Sequence, residues 1–321
     1  MLSNPKSDGA IPARGPAPPA HDPTIPGRIG HVWLVGAGPG APDLITLRGL
    51  RALQAADVVV HDRLAASELL EHCRPDALRI HVGKRAGLHS VPQEDIQDLL
   101  ATHALAGRCV VRLKGGDPFI FGRGGEEMAA LRAQGIPVTV IPGITAASGC
   151  AAATGIPLTH RDLASGVCLM TAHRQDGGEE LDWASLAGDR QRTLVFYMGL
   201  SQIRRVGTEL MLHGLPGSTP AAMISQGTTS AQAALRCSLA DLAAGIRDER
   251  LASPCLIVIG PVVSLADPDR VSGIGEPAPG RGAPAAPDQT LLTTMSAATL
   301  PAAHRSEASA YWPQPSRRRA A

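Results

Sequence analysis

The segment Lys114–Gly125, which we call the KGGD loop, combines residue types that could hold a polar ligand with an aromatic ring. Its sequence is Lys-Gly-Gly-Asp-Pro-Phe-Ile-Phe-Gly-Arg-Gly-Gly, with five glycines in twelve residues. Glycine lets the backbone approach a ligand closely and direct its N–H groups at polar atoms. The carboxylate of Asp117 can accept hydrogen bonds from an ammonium or a ribose hydroxyl, and Phe119 and Phe121 could flank a ring. The segment therefore predicts a ligand-binding loop.

A second glycine segment, Gly36–Ala41, which we call the GAGPG loop, fits the pattern G-x-G-x-x-A. In dinucleotide-binding folds such a loop follows the first strand, and an acid at the end of the second strand holds the ribose. Asp62 stands where that acid would fall. On these residues alone, an NAD(P)-dependent oxidoreductase remains open as an alternative.

A third segment, Ile141–Gly149, which we call the PGIT loop, also joins a predicted strand to a predicted helix. Ligand-binding loops in open α/β sheets lie at the carboxyl ends of the strands. Because all three loops follow strands, we expect them to open from the same edge of one sheet.

The elements that must position these loops alternate between short apolar runs and segments of helical period, which is typical of an α/β fold. Strands are predicted at His31–Val35, Val58–His61, Arg79–Val82, Cys109–Leu113, Val138–Ile141, Val167–Thr171, Thr193–Met198, Ala221–Ser225 and Cys255–Gly260. Helices are predicted at Gln93–His103, Glu126–Gln134, Gln202–His213 and Leu239–Ile246, after an earlier one with Leu47, Leu50 and Leu53 on one face.

The composition divides the chain into two folded parts and two tails. Residues 1–28 and 267–321 are rich in Pro, Ala and Gly, which predicts disorder because such segments cannot bury a core. Between them we expect two α/β domains, residues 29–160 and 161–266. The cleft between two such domains is a common place for a ligand.

Charge and cysteine usage argue against several classes of protein. A net charge of +1 disfavours nucleic-acid binding through a broad basic field. No apolar run is long enough for a membrane span or an export signal, so we expect a cytoplasmic protein. The six cysteines include no C-x-x-C pair, and the histidines are not grouped. We therefore expect reduced thiols and no metal.

Lysine is rare in this chain. Of 30 basic residues, three are lysines, namely Lys6, Lys84 and Lys114. Two of them, Lys84 and Lys114, stand beside glycines. Because lysine can exchange a proton and arginine cannot, these two are candidates for proton transfer.

Taken together, these residues resemble the tetrapyrrole methyltransferases over about residues 31–265. The matching segments are Val35–Gly40, Ala56–Leu64, Val82–Arg85, His89–Gln93, Val110–Glu127, Val140–Thr145, Gly155–Arg161 and Phe196–Gly199. The longest and most specific of these segments is Val110–Glu127. The resemblance implies two α/β domains of the tetrapyrrole methyltransferase type, with S-adenosyl-L-methionine in the cleft between them, assembled as a homodimer.

The resemblance also implies the reaction, which is methylation of uroporphyrinogen III at C2 and C7 to precorrin-2, feeding siroheme or cobalamin biosynthesis. It makes Asp62 the proton acceptor, rather than a ribose ligand, and Lys84 the proton donor. The cofactor-binding positions that it implies are Pro39, Gly115, Gly116, Asp117, Ile120, Thr145, Ala146, Met198 and Gly227. No metal, nucleic acid or membrane is implied.

The substrate is a polycarboxylate, and arginine pairs bidentately with carboxylates. The candidate arginines are Arg63, Arg85, Arg112, Arg123 and Arg161. Three positions depart from the family's usual pattern: His61 and Ala153, where tyrosine is frequent, and Ala172, where glycine is usual.

Three alternatives stay open beside uroporphyrinogen III methylation. They are a methyltransferase acting on a later precorrin, an NAD(P)-dependent oxidoreductase, and a protein that binds S-adenosylmethionine or a porphyrinoid without catalysis. Larger relatives carry an additional N-terminal dehydrogenase and chelatase domain, which residues 1–28 are too short to form. Only the methylating activity is therefore expected.

Overall fold

The computed structural model describes residues 29–83, 91–172, 180–274 and 276. All of them lie in one compact unit of the chain, Met1–Pro279. They form two α/β domains, each built on its own sheet, with the strands of the first sheet between residues 31 and 141 and those of the second between residues 166 and 273.

The first sheet contains five parallel strands in the order β3-β2-β4-β1-β5. The strands are β1 (His31–Gly36), β2 (Val58–His61), β3 (Leu78–His81), β4 (Cys109–Lys114) and β5 (Val138–Ile141). Helices α1 (Leu47–Ala55), α2 (Gln93–Leu105) and α3 (Gly124–Ala133) connect them. Each of these strands agrees with its sequence prediction to within one residue at either end.

Helices cover both faces of this sheet, which explains the nearly continuous apolar runs in its strands. Successive side chains point to opposite faces. Trp33 therefore packs in the cluster that holds Leu53 of α1, whereas Leu34 packs in the cluster that holds Leu100 of α2. The predicted face of α1 was wrong at one position, because Leu47 is 70% exposed and Gly49 and Ala52 are buried with Leu53 instead.

The second sheet contains six strands in the order β11-β9-β8-β10-β7-β6, with parallel and antiparallel pairs. The strands are β6 (Gly166–Thr171), β7 (Arg192–Tyr197), β8 (Pro220–Ser225), β9 (Ala233–Ser238), β10 (Cys255–Ile259) and β11 (Ser272–Gly273). Helix α4 (Ala146–Thr154) precedes this sheet, and α5 (Trp183–Gly188), α6 (Ile203–Leu212) and α7 (Leu239–Ala244) pack with it. Short 3₁₀ helices occupy Pro42–Leu44, Ser67–His72, Leu200–Gln202 and Pro261–Leu265.

The domain limit, the tails and the cysteines can be compared with the sequence predictions. The predicted limit between the domains, after residue 160, falls between α4 and β6, and the limits themselves stay a prediction. The predicted tails lie outside the described residues, apart from residues 267–274 and 276. All six cysteines have free thiols. Within the described residues, no helix combines the length and the apolar character needed to cross a bilayer.

Candidate active site

The three glycine loops leave the sheet at one edge. The GAGPG loop begins at the end of β1, the KGGD loop at the end of β4 and the PGIT loop at the end of β5. Because β4 and β5 are the two parallel neighbours of β1, their carboxyl ends lie side by side. The expectation of a shared edge is confirmed.

Backbone contacts hold the loops against one another. Gly38 N donates to Gly116 O at 3.2 Å, and Gly116 N donates to Gly38 O at 2.7 Å. A Cβ added at Gly143 would lie 2.2 Å from Gly116 O, and one added at Gly36 would lie 2.5 Å from Gly143 Cα. The glycines therefore allow an approach of the three backbones that any side chain would block.

Asp117 fastens the KGGD loop to the PGIT loop. Its Oδ2 accepts a hydrogen bond from Gly143 N at 3.0 Å, and its Oδ1 accepts one from Phe119 N at 2.8 Å. A carboxylate has further lone pairs, so a ligand hydroxyl could still bind it. The structure thus gives Asp117 a loop-holding role, and its contact with the cofactor stays a prediction.

The KGGD loop faces the start of α4. A Cβ added at Gly116 would have Ala146 N and Thr145 Cα as its nearest neighbours, both at 3.9 Å, which is ordinary van der Waals contact. On the other side of the loop, a Cβ at Gly115 would lie 2.6 Å from Leu64 Cβ. Gly116, Thr145 and Ala146, three of the predicted cofactor residues, therefore lie next to one another.

The second domain contributes Tyr197 and Met198 at the end of β7. The Tyr197 hydroxyl lies 2.6 Å from Thr145 Oγ1 and accepts a hydrogen bond from Ala147 N at 3.0 Å, and its ring centroid lies 4.8 Å from that of Phe121. Burial raises the pKa of Tyr197, so the hydroxyl stays protonated at neutral pH. Sequence reasoning gave Tyr197 no role, because its contacts are with residues some fifty positions earlier in the chain.

Pro39 and Gly227 both pack on α4. A Cβ added at Gly149 would lie 2.4 Å from Pro39 Cγ, and one added at Gly227 would lie 2.3 Å from Cys150 Sγ. Nearby, Ala41 N donates to Thr228 Oγ1 at 3.0 Å. The GAGPG loop is thereby joined to the second domain.

Several large apolar side chains remain exposed around the loops. Met198 is 52% exposed and has a φ of +54°, whereas Ile120 of the KGGD loop is half-buried. Exposed apolar groups in one region indicate a contact surface for a ligand or partner. The others are Leu64, Phe119 and Phe121, which are 53%, 52% and 41% exposed.

Asp62 follows β2 and does not lie beside the GAGPG loop. In a dinucleotide-binding fold the second strand is the neighbour of the first. Here β4 separates β2 from β1, so two strand spacings, about 10 Å, lie between them. This order removes the geometric basis for reading Asp62 as a ribose ligand.

The carboxylate of Asp62 is instead held near the KGGD loop. Its Oδ1 accepts a hydrogen bond from Leu64 N at 3.0 Å, and its Oδ2 lies 3.4 Å from Arg112 Nη2. The side chain remains 26% exposed. Asp62 is thus oriented by the protein and still accessible.

A buried ionic cluster lies behind Asp62. Arg112 Nε and Lys114 Nζ contact Glu127 Oε1 at 3.3 and 2.9 Å, and these three residues are 4%, 3% and 0% exposed. Arg112 therefore cannot meet a substrate carboxylate, and that prediction was wrong. Lys114 ends β4 inside the protein, where burial and the nearby Arg112 lower its pKa while Glu127 opposes the shift. Glu127 was missed, although two cations with strand spacing in an apolar run were a signal for a buried partner.

The other predicted site residues are either exposed or outside the described residues. Lys84 and Arg85 lie outside the described residues. Arg123 pairs with Glu126, with 2.6 Å between Nη2 and Oε2. Arg63 and Arg161 are exposed. Among the described residues, no His, Cys, Asp and Glu side chains are grouped so as to hold a metal ion.

His61 is the last residue of β2 and directly precedes Asp62. Its ring centroid lies 5.2 Å from that of His81 on β3. Burial lowers the pKa of His61, and the neighbouring His81 contributes in the same direction. A neutral imidazole therefore stands beside Asp62 at neutral pH.

The sequence matches the family model of the tetrapyrrole (corrin/porphyrin) methylases over residues 31–243, which include the three glycine loops, Asp62 and the Tyr197 region. The chain belongs to this family.

The siroheme synthase of Stutzerimonas stutzeri is 53% identical over 242 residues, which make up 75% of this chain and 52% of that protein. The chain thus spans about half the length of the curated relatives that it matches. The uroporphyrin-III C-methyl transferase of Thermus thermophilus, complexed with S-adenyl homocysteine, is 38% identical with a TM-score of 0.63, covering 73% of this chain and 93% of that one. A cobalt precorrin-4 methyltransferase is 28% identical with a TM-score of 0.65, covering 73% and 95%.

Proposed function

We propose that this tetrapyrrole methylase transfers methyl groups from S-adenosyl-L-methionine to two pyrrole carbons of uroporphyrinogen III, giving precorrin-2. The observation that carries the proposal is the meeting of three glycine loops at one edge of the sheet, where Gly116 lies beside Thr145 and Ala146 at the start of α4. It occurs in a chain that is 38% identical to the Thermus enzyme and covers 93% of it.

Contacts between the two domains hold the residues at this edge of the sheet in place. Gly116 lies beside Thr145 and Ala146, and Tyr197 fixes the start of α4 through Thr145 and Ala147. We infer that the cofactor contacts Pro39, Gly115, Gly116, Asp117, Ile120, Thr145, Ala146, Met198 and Gly227. Bound there, S-adenosylmethionine supplies an electrophilic methyl group on its sulfonium. The chain's contribution is orientation of the acceptor carbon, which can lower a barrier by about 7–11 kcal/mol.

Asp62 is proposed as the group that accepts the pyrrole N–H proton. A carboxylate in that role must be accessible and fixed in position. The hydrogen bond from Leu64 N and the contact with Arg112 support a fixed position, and the partial exposure of Asp62 supports its accessibility. Lys84, outside the described residues, remains the predicted proton donor.

The substrate has a flat apolar macrocycle and a carboxylate periphery. We propose that Leu64, Phe119, Phe121 and Met198, which are all exposed near the loops, contact the ring. The exposed Arg63, Arg123 and Arg161 remain candidates for its carboxylates, by bidentate pairing. The homodimer and the cytoplasmic location are further predictions, and light scattering of the purified chain tests the first.

The proposal is tested by incubating the purified chain with uroporphyrinogen III and S-adenosylmethionine under anaerobic, reducing conditions, followed by mass spectrometry. We expect a product with two added methyl groups, formed only when the methyl donor is present. No methylation, or turnover of a later precorrin in preference to uroporphyrinogen III, would contradict it. The second outcome is the alternative to which the cobalt precorrin-4 methyltransferase likeness points.

A D62N variant separates binding from chemistry. Asparagine keeps the size of the side chain and removes the proton acceptor. We expect this variant to bind S-adenosylhomocysteine with the affinity of the wild type, measured by calorimetry, and to lose most of its turnover. Equal turnover would remove Asp62 from the mechanism.

A further inference from the structure

We propose that Arg112 is a positioning residue for Asp62, held in place by a buried network of Glu127, Lys114 and Gln93. The inference rests on the proposed function, in which Asp62 accepts the pyrrole proton. We call these four residues, Gln93, Arg112, Lys114 and Glu127, the Arg112 network.

The guanidinium of Arg112 is fixed from several directions. Its Nε donates to Glu127 Oε1 at 3.3 Å, and its Nη1 donates to the carbonyl oxygens of Leu113 at 3.0 Å and Val60 at 3.4 Å. These bonds leave Nη2 to contact Asp62 Oδ2 at 3.4 Å. Because the guanidinium is a rigid planar fork, fixing Nε and Nη1 also fixes the direction of Nη2.

Glu127 is the centre of the network. Its Oε1 accepts hydrogen bonds from Lys114 Nζ at 2.9 Å, from Gln93 Nε2 at 3.0 Å and from Arg112, while its Oε2 has no partner within the described part of the chain. Burying such charges costs free energy, and apolar side chains of similar volume often stabilise a core as well or better. The arrangement therefore fits orientation of Arg112 toward the site better than a contribution to stability.

Of the titratable groups that face Asp62, only Arg112 can orient its carboxylate as a charged donor. Among the described residues these groups are Arg112 and Lys114 on β4 and His61 at the end of β2, with His81 on β3 behind His61. The charge of Lys114 is matched by its contact with Glu127. Burial lowers the pKa of His61, so its ring carries no charge at neutral pH. Arg112 alone in this set contacts the Asp62 carboxylate with a charged donor.

The test compares R112Q, R112K and E127Q with the wild type and with R74Q. Arg74 forms an ion pair of similar length with Asp57, at 3.2 Å, elsewhere in the same domain, which makes R74Q the matched control. The readouts are kcat and KM for uroporphyrinogen III methylation, the affinity for S-adenosylhomocysteine, and the urea unfolding midpoint.

We expect R112Q to lower kcat by up to about 100-fold, because a small misplacement of a reacting group can cost that much. KM and the affinity for S-adenosylhomocysteine should stay close to the wild-type values, because Arg112 is buried and contacts Asp62. R112K should also lose kcat, because a single ammonium cannot bind Glu127 and point at Asp62 together. E127Q should show a smaller loss of kcat, and R74Q none.

Outcomes that contradict the inference are distinct from those that contradict the proposed function. An active wild type whose R112Q and E127Q variants keep its kcat, or lose kcat together with the affinity for S-adenosylhomocysteine, would overturn the positioning role and leave the function standing. If R112Q does not fold, the kcat and KM of E127Q decide, because that substitution conserves volume. A wild type that binds S-adenosylhomocysteine but does not methylate uroporphyrinogen III would overturn the proposed function, and the inference with it.

Discussion

Gly143 offers a sharp test of the way the three loops pack. A Cβ at this position would lie 2.2 Å from Gly116 O and 2.7 Å from Gly36 Cα, closer than real Cβ atoms come to other heavy atoms. Both neighbours are backbone atoms, so no side chain can rotate away. In a G143A variant the carbonyl of Gly116 must therefore move.

The size of the effect follows from the contacts that this movement disturbs. Gly116 pairs with Gly38 through two hydrogen bonds, at 3.2 and 2.7 Å. Each contributes about 1 kcal/mol net, and overpacking costs about 1–3 kcal/mol. We expect the free energy of unfolding of G143A to fall by roughly 3–5 kcal/mol. Because Gly116 borders the proposed cofactor space, S-adenosylhomocysteine affinity should also fall by at least about tenfold, or 1.4 kcal/mol.

G125A is the matched control. Gly125 lies in α3 at the end of the KGGD loop, and a Cβ there would have nothing within 4 Å. Alanine is favoured over glycine in a helix by up to about 1 kcal/mol, so G125A should be as stable as the wild type or more so. Urea unfolding followed by circular dichroism and calorimetric titration measure both variants. A G143A protein within about 0.5 kcal/mol of the wild type, with unchanged affinity, would refute the packing argument.

Three further predictions concern the same region and the buried thiols. G116A should cost about 1–2 kcal/mol of stability because φ is +67°, and its methyl group would lie against Thr145 and Ala146, two proposed cofactor residues, so calorimetry should show that cofactor affinity falls by more than stability does. Y197F leaves the Ala147 amide and the Thr145 hydroxyl without their shared partner, which should lower the free energy of unfolding by about 1–3 kcal/mol; an unchanged urea midpoint would count against that role. Burial raises the pKa of four thiols from 9.0 to about 12, those of Cys109, Cys150, Cys237 and Cys255. Above pH 9 the folded state keeps protons that the unfolded chain releases, so the contribution of these thiols to stability is complete below pH 9, and the urea midpoint should fall as pH rises from 9 toward 12. At pH 9, iodoacetamide should label these thiols only after unfolding, and rapid labelling of the native protein would contradict their burial.

The elements of the first domain could be predicted because local sequence carries the signal. β2 begins with three valines and β4 contains Val110 and Val111, which favour strands, and helices cover both faces of this parallel sheet. β9 was missed because Ala233–Ser238 contains few residues that favour strands, and its pairing with β8 defines it. The exposure of Leu47 was likewise decided by the packing of α1 on the sheet and not by its spacing.

The sequence by itself determined that three glycine loops follow three strands, that the chain is α/β, and that it resembles the tetrapyrrole methyltransferases. Only the tertiary structure decided that β4 lies between β1 and β2, which moves Asp62 away from the GAGPG loop and next to Arg112. It also decided that Arg112 and Lys114 are buried against Glu127, and that Tyr197 binds the start of α4. The physical reason is that turn and strand propensities act between near neighbours in the chain. Strand order, burial and the partner of a charge depend on residues that meet only when the two domains have folded.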